Sequence, residues 1–317
     1  MGCRKYSEHS VHDAESIGEI LESVLIGGKE YLFSSAVIKN EESRESYFLL
    51  AEKVFGLDFK PWYSSGFCGD RFIPYTLFDN GAAVSSVGVV LNNFRWGGKS
   101  RKYAQLSTVM TEPDYLMRGL SRWLTEAVIK EWKGKCDSIY LYANDTVKEF
   151  YPKFGFVPAD EYRYSLPVAK KSGRFRNLDL SVRDDVDLLV AKHRGSNPFS
   201  LLAMEDSVEI MMFHCINFLR GNVFYVEEHD AIVIAEQDGN EMFCYDIYTG
   251  SDSGIADILG TIASSDVCTA TLGFTPAETS GFTIEKANES DTTFFVLDGM
   301  ENILRDNRVT FPFLSRA

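Results

Sequence analysis

Three extended runs joined by two tight turns constrain the fold of this chain more than any other feature. Tyr75 to Phe78 leads into Asp79-Asn80-Gly81, a long run from Ala82 to Phe94 follows, Gly97-Gly98 turns the chain again, and Tyr103 to Met110 completes the set. Asn-Gly supplies the positive φ values of a short hairpin turn, and Gly-Gly tolerates them without a Cβ clash. An antiparallel meander is therefore predicted, and it must bury at least one face against helices.

The flanks supply those helices. Upstream, Tyr31 to Ile38 reads as a strand, and Glu42 to Phe55 as a helix with Tyr47, Leu50, Ala51 and Val54 on one side and Gly56 as its stop. Downstream, Leu116, Leu120, Trp123, Leu124, Ala127 and Val128 recur at spacings of three and four, predicting a helix from about Asp114 to Trp132. A short strand from Ile139 to Ala143, a short helix from Thr146 to Phe154 and an extended run from Phe156 to Leu166 follow. Before all of these, Ile17, Ile20, Leu21, Val24 and Leu25 share one helical face. Residues 1–29 are thus expected to be an N-terminal extension, either an appended helix or a disordered leader.

The length of 317 residues, 45% of them hydrophobic, suits two domains rather than one. Lys170, Lys171, Ser172 and Gly173 read as a linker. Beyond it a second meander is predicted from Val223 to Val226, Ala231 to Glu236 and Met242 to Tyr248, then a helix from Ile255 to Ile262. Leu272-Gly273-Phe274 echoes Phe154-Gly155-Phe156. The reading is a first domain at 30–167 and a decayed second copy at 168–317.

A net charge of -14 repels a phosphate backbone and argues against nucleic acid as a partner. No apolar run reaches the length that spans a bilayer, so no membrane partner is expected. Six scattered cysteines without a C-x-x-C spacing suggest neither a metal site nor a disulfide framework, and a cytoplasmic location fits them.

The order strand, helix, three strands, helix, strand, helix, strand carries two local signals. Leu116-Met117-Arg118-Gly119-Leu120-Ser121 follows the meander, and Phe150-Tyr151-Pro152-Lys153-Phe154-Gly155-Phe156 lies about thirty residues beyond Gly119. Together they resemble the acyl-CoA core of a GCN5-related N-acetyltransferase (GNAT). The resemblance covers residues from about 30 to 167. It implies an α/β (α+β) fold with a mixed, mostly antiparallel sheet that splays open and is flanked by helices, and a second GNAT-like domain behind it.

The same resemblance implies the chemistry. Gly119 fills the central glycine and Ser121 the final small position of the pyrophosphate loop, where helix N-terminal amides meet phosphate. Leu116 replaces the usual Gln or Arg, and Met117, Arg118 and Leu120 complete the frame. Val109, Met110 and Thr111 end the preceding strand and offer backbone groups to the pantetheine arm of acetyl-CoA by β-like pairing. Asn144 closes the next strand beside the cofactor. Tyr151 stands where the family's tyrosine gives a proton to the departing thiolate. No metal is implied.

The expected function is transfer of an acetyl group from acetyl-CoA to a small-molecule or peptide amine by direct attack, with a homo-oligomer left open. The alternatives are an acyl-CoA-binding regulator without turnover, motivated by Leu116, and a structural module without cofactor. The aromatic stretch at Phe59, Trp62, Tyr63, Phe72 and Tyr75 either lines an amine pocket or packs under the second domain.

Overall fold

The computed structural model describes residues 21–289 and 291–317. It opens with a hairpin of β1 (Glu22–Ile26) and β2 (Lys29–Ser34). Ile17 and Ile20 lie outside the described residues, and from Glu22 onward strand replaces the expected helical face. Gly27 and Gly28 take φ of 59° and 82°, so the chain reverses at once and Val24 pairs with Tyr31. The glycine pair outweighs the helical spacing.

Asn40 caps α1 (Glu41–Phe55) through its Oδ1, which accepts from Ser43 N at 3.0 Å. The helix ends on Gly56 with φ 66° and buries Tyr47, Leu50 and Ala51. A one-turn helix α2 (Lys60–Ser64) precedes the meander of β3 (Phe72–Asp79), β4 (Ala82–Trp96) and β5 (Lys99–Thr111), all three longer than the sequence suggested. α3 (Leu120–Trp132) starts later than the expected Asp114. Pro113–Tyr115 make a separate single turn, and Gly119 at φ 83° interrupts the chain before the helix begins.

After β6 (Ser138–Ala143), the helix expected from Thr146 is a series of turns ending in a 3-10 turn at Tyr151–Phe154. Pro152 has no N–H to give to a helical ladder, which favours this shorter form. Asp145 therefore caps no helix; its main-chain N–H donates to Asp291 Oδ1 at 2.9 Å. The chain continues through β7 (Phe156–Pro158), β8 (Tyr162–Pro167), β9 (Phe175–Asn177), α4 (Arg183–His193), β10 (Ala203–Glu205) and α5 (Val208–Asn217). It ends with β11 (Val223–Val226), β12 (Ala231–Asp238), β13 (Glu241–Thr249), α6 (Ile255–Ile262), β14 (Thr269–Leu272), β15 (Thr283–Lys286) and β16 (Thr293–Leu297).

Two mostly antiparallel sheets result. The first runs β1-β2-β3-β4-β5-β6-β16-β7 with β10 also paired to β4, and the second runs β15-β8-β14-β13-β12-β11-β9. β5–β6 and β13–β14 are the parallel pairs among the described residues. Each sheet borrows a strand from across the chain: β16 lies between β6 and β7, while β8 lies between β14 and β15. Sheet membership thus does not follow the boundary read at 167/168, and the extended run from Phe156 to Leu166 divides between sheets. Lys170 to Gly173 have no regular structure, but Lys171 N donates to Gly260 O at 2.8 Å, tying the segment to α6.

One face of the first sheet packs on α3 through Leu120, Leu124 and Val128. The other meets α1, α2 and α5 in a core rich in aromatic rings, among them Tyr47, Phe59, Trp62, Phe72 and Phe213. α5 buries Met211, Met212, Phe213, His214, Cys215 and Ile216, as a helix enclosed on nearly all sides must. Each such large apolar side chain contributes about 1.5–3 kcal/mol relative to exposure.

Candidate functional site

β5 and β6 pair only from Tyr103↔Ser138 to Leu106↔Leu141. Beyond that point β5 runs on to Thr111 and β6 to Ala143, and among the described residues no strand covers the outer edge of β5. The two strands part around a cleft of about 880 Å³, lined by Val109, Met110, Thr111, Leu116, Ser121, Asn144 and Tyr151. The expected site residues are therefore brought together, apart from Met117, Arg118 and Gly119 in the turn leading into α3 and Leu120 at its start, which do not line the cleft.

A bulge marks the parting point. Ser86 pairs with Met110 and Gly88 with Ser107, so Thr108 and Val109 stand opposite Val87 alone. Thr108 takes φ 42°, a conformation that costs a β-branched residue about 1–3 kcal/mol. Tyr47 OH lies 3.2 Å from Thr108 Oγ1 and ties the bulge to α1. Gly88 makes the bulge sterically possible: a Cβ there would stand 2.5 Å from Thr108 Oγ1 and 2.9 Å from Ser107 Oγ. Ser107 is 4% exposed and its Oγ has no hydrogen-bond partner. This is a buried hydroxyl left unpaired at a strained bulge, where most buried polar groups are bonded.

At the α3 end, Gly119 occupies the N-cap with no side-chain cap, leaving the first-turn N–H groups uncommitted to a capping side chain. Ser121 Oγ is 2.7 Å from Thr111 Oγ1, which is 2.8 Å from Ser85 Oγ, so these hydroxyls fasten the helix to the strand end. Arg118 folds back: its guanidinium donates to Asp114 O at 2.7 Å and lies 4.5 Å from the Tyr115 ring. Leu116 and Met117 are exposed. Asn144 is also exposed, and its Oδ1 accepts from Thr146 Oγ1 at 2.5 Å.

Tyr151 is 4% exposed, packed against Phe150, Phe156 and Phe295, and its hydroxyl finds no hydrogen-bond partner among the described residues. Burial alone pushes its phenol up to about 12. The group stays protonated through the physiological range while lining the cleft.

A second cavity of about 350 Å³ adjoins the first. Leu57, Ser107, Thr108, Tyr142 and Ala317 line both, and form the neck between them. Trp62 lines this cavity, and it is 2% exposed with its Nε1 donating to Glu209 O at 3.0 Å on α5. The neck is braced from behind by Arg316, which pairs with Glu289 at 2.8 Å and Glu161 at 3.2 Å and lies 4.5 Å from the Tyr142 ring.

Sequence reasoning missed Ser107, Thr108, Tyr142 and the α5 wall. Gly88, a glycine inside a run of valines, was the available signal for a bulge. Nothing local marks Glu209 or Phe213 as neighbours of β3.

The second sheet parts similarly. β13 and β14 pair from Glu241↔Thr269 to Cys244↔Leu272, and β13 bulges at Tyr245 opposite Ile234 and Ala235. Here the chain fills its own opening: Phe313 N donates to Gly273 O at 2.7 Å, and the Phe313 ring lies 5.0 Å from Tyr245 and 5.5 Å from Phe243. Among the described residues no group of His, Cys, Asp or Glu converges as a metal site, and no helix is long and apolar enough to cross a membrane.

Residues 46–159 match the family described as Acetyltransferase (GNAT) domain. Among solved structures, the chain is similar to a probable N-acyltransferase from Enterococcus faecalis, with 13% identity over 81% of this chain and 70% of that one and a TM-score of 0.55. It is similar also to GCN5-related N-acetyltransferases from Anabaena variabilis (13% identity, 84% and 72% covered, TM-score 0.53) and Kribbella flavida (14%, 83% and 70%, 0.51). At these identities the likeness shows a shared fold, the splayed α/β sheet read from the sequence. No curated protein matches the sequence.

Proposed function

We propose, from the premise that residues 46–159 are a GNAT-type acetyltransferase domain, that this chain transfers an acetyl group from acetyl-CoA directly to a primary amine, with both bound at once. The observation that carries the reading is the neck at Ser107 and Thr108, where a cleft along an unpaired strand edge opens into a separate, largely apolar cavity. Two substrates entering from opposite sides meet there.

The residues present fit acetyl-CoA. The unpaired edge of Val109 to Thr111 accepts an extended, amide-bearing arm by strand-like bonds. First-turn amides of α3, beside the cleft-lining Ser121, suit pyrophosphate, aided by the helix dipole. Leu116 brings no polar group to that end, and Arg118 is engaged with Asp114 O, so the backbone does most of the holding. Asn144 stands beside the arm. Acetyl-CoA supplies the acyl group as a thioester.

Within this reading Ser107 Oγ orients a partner at the neck, and Tyr151 presents its hydroxyl to the sulfur as the thiol departs. With the phenol pushed up to about 12, Tyr151 is fully loaded with its proton at neutral pH. Amine and thioester are aligned by the cavity walls, and such positioning supplies a large part of rate enhancement when reacting atoms are held in line.

Residues 168–317 are read as a degenerate second copy. The support is repetition: β12, β13, α6 and β14 follow the same bulge, helical crossover and parallel pairing as β4, β5, α3 and β6. With Phe313 in its opening, that copy holds no cofactor and serves to wall the acceptor side through α5.

Calorimetric titration with acetyl-CoA tests the first step, and thiol release with a panel of amines the second. No binding at millimolar acetyl-CoA would sink the enzyme reading and a sensor reading together. Binding without thiol release would assign the chain to acyl-CoA binding without turnover, the reading Leu116 favours.

A further inference from the structure

We propose that the 350 Å³ cavity takes a small arylalkyl primary amine, its reacting nitrogen at Ser107 and a hydroxyl or ring N–H of its far end at Glu209. This rests on the acyl-transfer reading above and names its acceptor class.

The walls define the body of the ligand. Trp62, Phe72, Phe213 and Phe218 contribute ring faces and edges, with Trp62 and Phe213 in edge contact at 5.1 Å. Such walls favour a flat apolar group over a hydrated chain.

Charge excludes polycations. The lining holds Arg71 and Arg316 against Glu209 and Glu289, and Glu289 is already paired with Arg316. Glu209 makes no ion pair among the described residues and accepts the main-chain N–H of Arg71 at 3.2 Å. A polyamine or aminoglycoside needs several free carboxylates, and the acidic side chains of this cavity offer one, beside an arginine.

The sheet register sets the distance. Ser107 pairs with Gly88, whereas Leu91 N donates to Arg71 O, so the Glu209 end lies three residues further along β4. At about 3.3 Å per residue the offset along β4 is roughly 10 Å, and Ser107 and Arg71 flank β4 on opposite sides, which widens the separation further. An ammonium held at Glu209 would be out of attack range at the neck, so Glu209 serves the far end. A two-carbon arm on a phenol or indole spans such a gap with hydrogen-bond reach at each end.

The test compares phenethylamine, tyramine, tryptamine, spermidine and an aminoglycoside as acceptors with acetyl-CoA, read as thiol release. Arylalkylamines are expected to exceed spermidine and the aminoglycoside at least about tenfold in kcat/KM, and tyramine to exceed phenethylamine about tenfold through its bond to a carboxylate. Glu209→Ala, with Glu209→Gln as a folding control, is expected to abolish the tyramine preference while leaving the KM for acetyl-CoA within about twofold. Phe218 is 54% exposed at the rim, so Phe218→Arg preserves the fold and is expected to raise arylalkylamine KM. Preference for spermidine or the aminoglycoside, or a tyramine preference that survives in Glu209→Ala, overturns the proposal and leaves acyl transfer standing. Acetyl-CoA binding with no amine turned over overturns both.

Discussion

Replacing Gly88 with alanine asks whether the bulge at Thr108 governs turnover. The backbone at Gly88 is not in the left-handed region, so the whole effect is steric: the new Cβ meets Thr108 Oγ1 at 2.5 Å, Ser107 Oγ at 2.9 Å and Phe72 Cε2 at 3.2 Å. Relief requires Thr108 to rotate or the bulge to retreat from β4. Rotation breaks the contact with Tyr47 OH, worth about 0.5–1.5 kcal/mol, and overpacking of this size costs about 1–3 kcal/mol in all. The melting temperature should fall by roughly 2–10 °C. Activity should fall further than stability, because displacement of the neck by a fraction of an ångström misaligns amine and thioester; about 10–100-fold in kcat is expected. Most of the edge proposed for pantetheine, Met110 and Thr111, lies past the bulge, so acetyl-CoA affinity should stay within about threefold by calorimetry. A Gly88→Ala protein with lowered melting temperature and undiminished kcat would refute the assignment of the bulge to the reacting centre.

Tyr151→Phe removes a hydroxyl with no protein partner, so the variant should melt within about 1 °C of the parent while kcat drops about 10²–10⁴-fold; retained kcat removes Tyr151 from the chemistry. Leu116→Arg places a cation at the exposed cleft mouth and should tighten acetyl-CoA binding about fivefold at low salt, with the gain fading as salt rises; a salt-independent or absent gain sinks the placement of pyrophosphate at α3. His193 and His214 are each pushed down to about 4 by burial, so their contribution to stability is present above pH 6.5 and lost as pH falls toward 4. Asp246, pushed up to about 6 by burial, opposes them with stability present below pH 4 and lost as pH rises through 6. These three groups together contribute a slope of one proton between pH 4 and 6, stability rising with pH, and His214→Asn should lower the measured slope by about one proton; an unchanged slope in denaturant midpoints would contradict the buried neutral state of His214.

How much of this was legible depended on where the information lay. The meander was readable because Asn80-Gly81 and Gly97-Gly98 encode their turns locally, and α1 because its apolar stripe ends at Gly56. Val109, Met110, Thr111, Leu116 and Ser121, which line the larger cleft, were readable as a set because they sit on one strand end and one helix start, close in sequence. The start of α3 was misjudged because Leu116 fits the helical stripe while Gly119 and Pro113 hold it outside the helix. The neck and the smaller cavity were not legible, since Ser107 meets Gly88 and Glu209 meets β3 only once the fold is formed. Those contacts are made by the tertiary fold, and no periodicity in either segment announces them.

The exchange of β8 and β16 has a consequence for biosynthesis. β6 is complete at Ala143, yet its neighbour in the finished sheet begins at Thr293, some 150 residues later. At a synthesis rate of about 5–20 residues per second, the open side of β6 waits roughly 10–30 s for its partner. During that interval Ile139, Tyr140 and Leu141 flank an unpaired edge, the sort of template that recruits foreign strands. The first half therefore cannot finish folding on the ribosome ahead of the second, and expression should depend on chaperone capacity more than the stability of the finished fold would suggest.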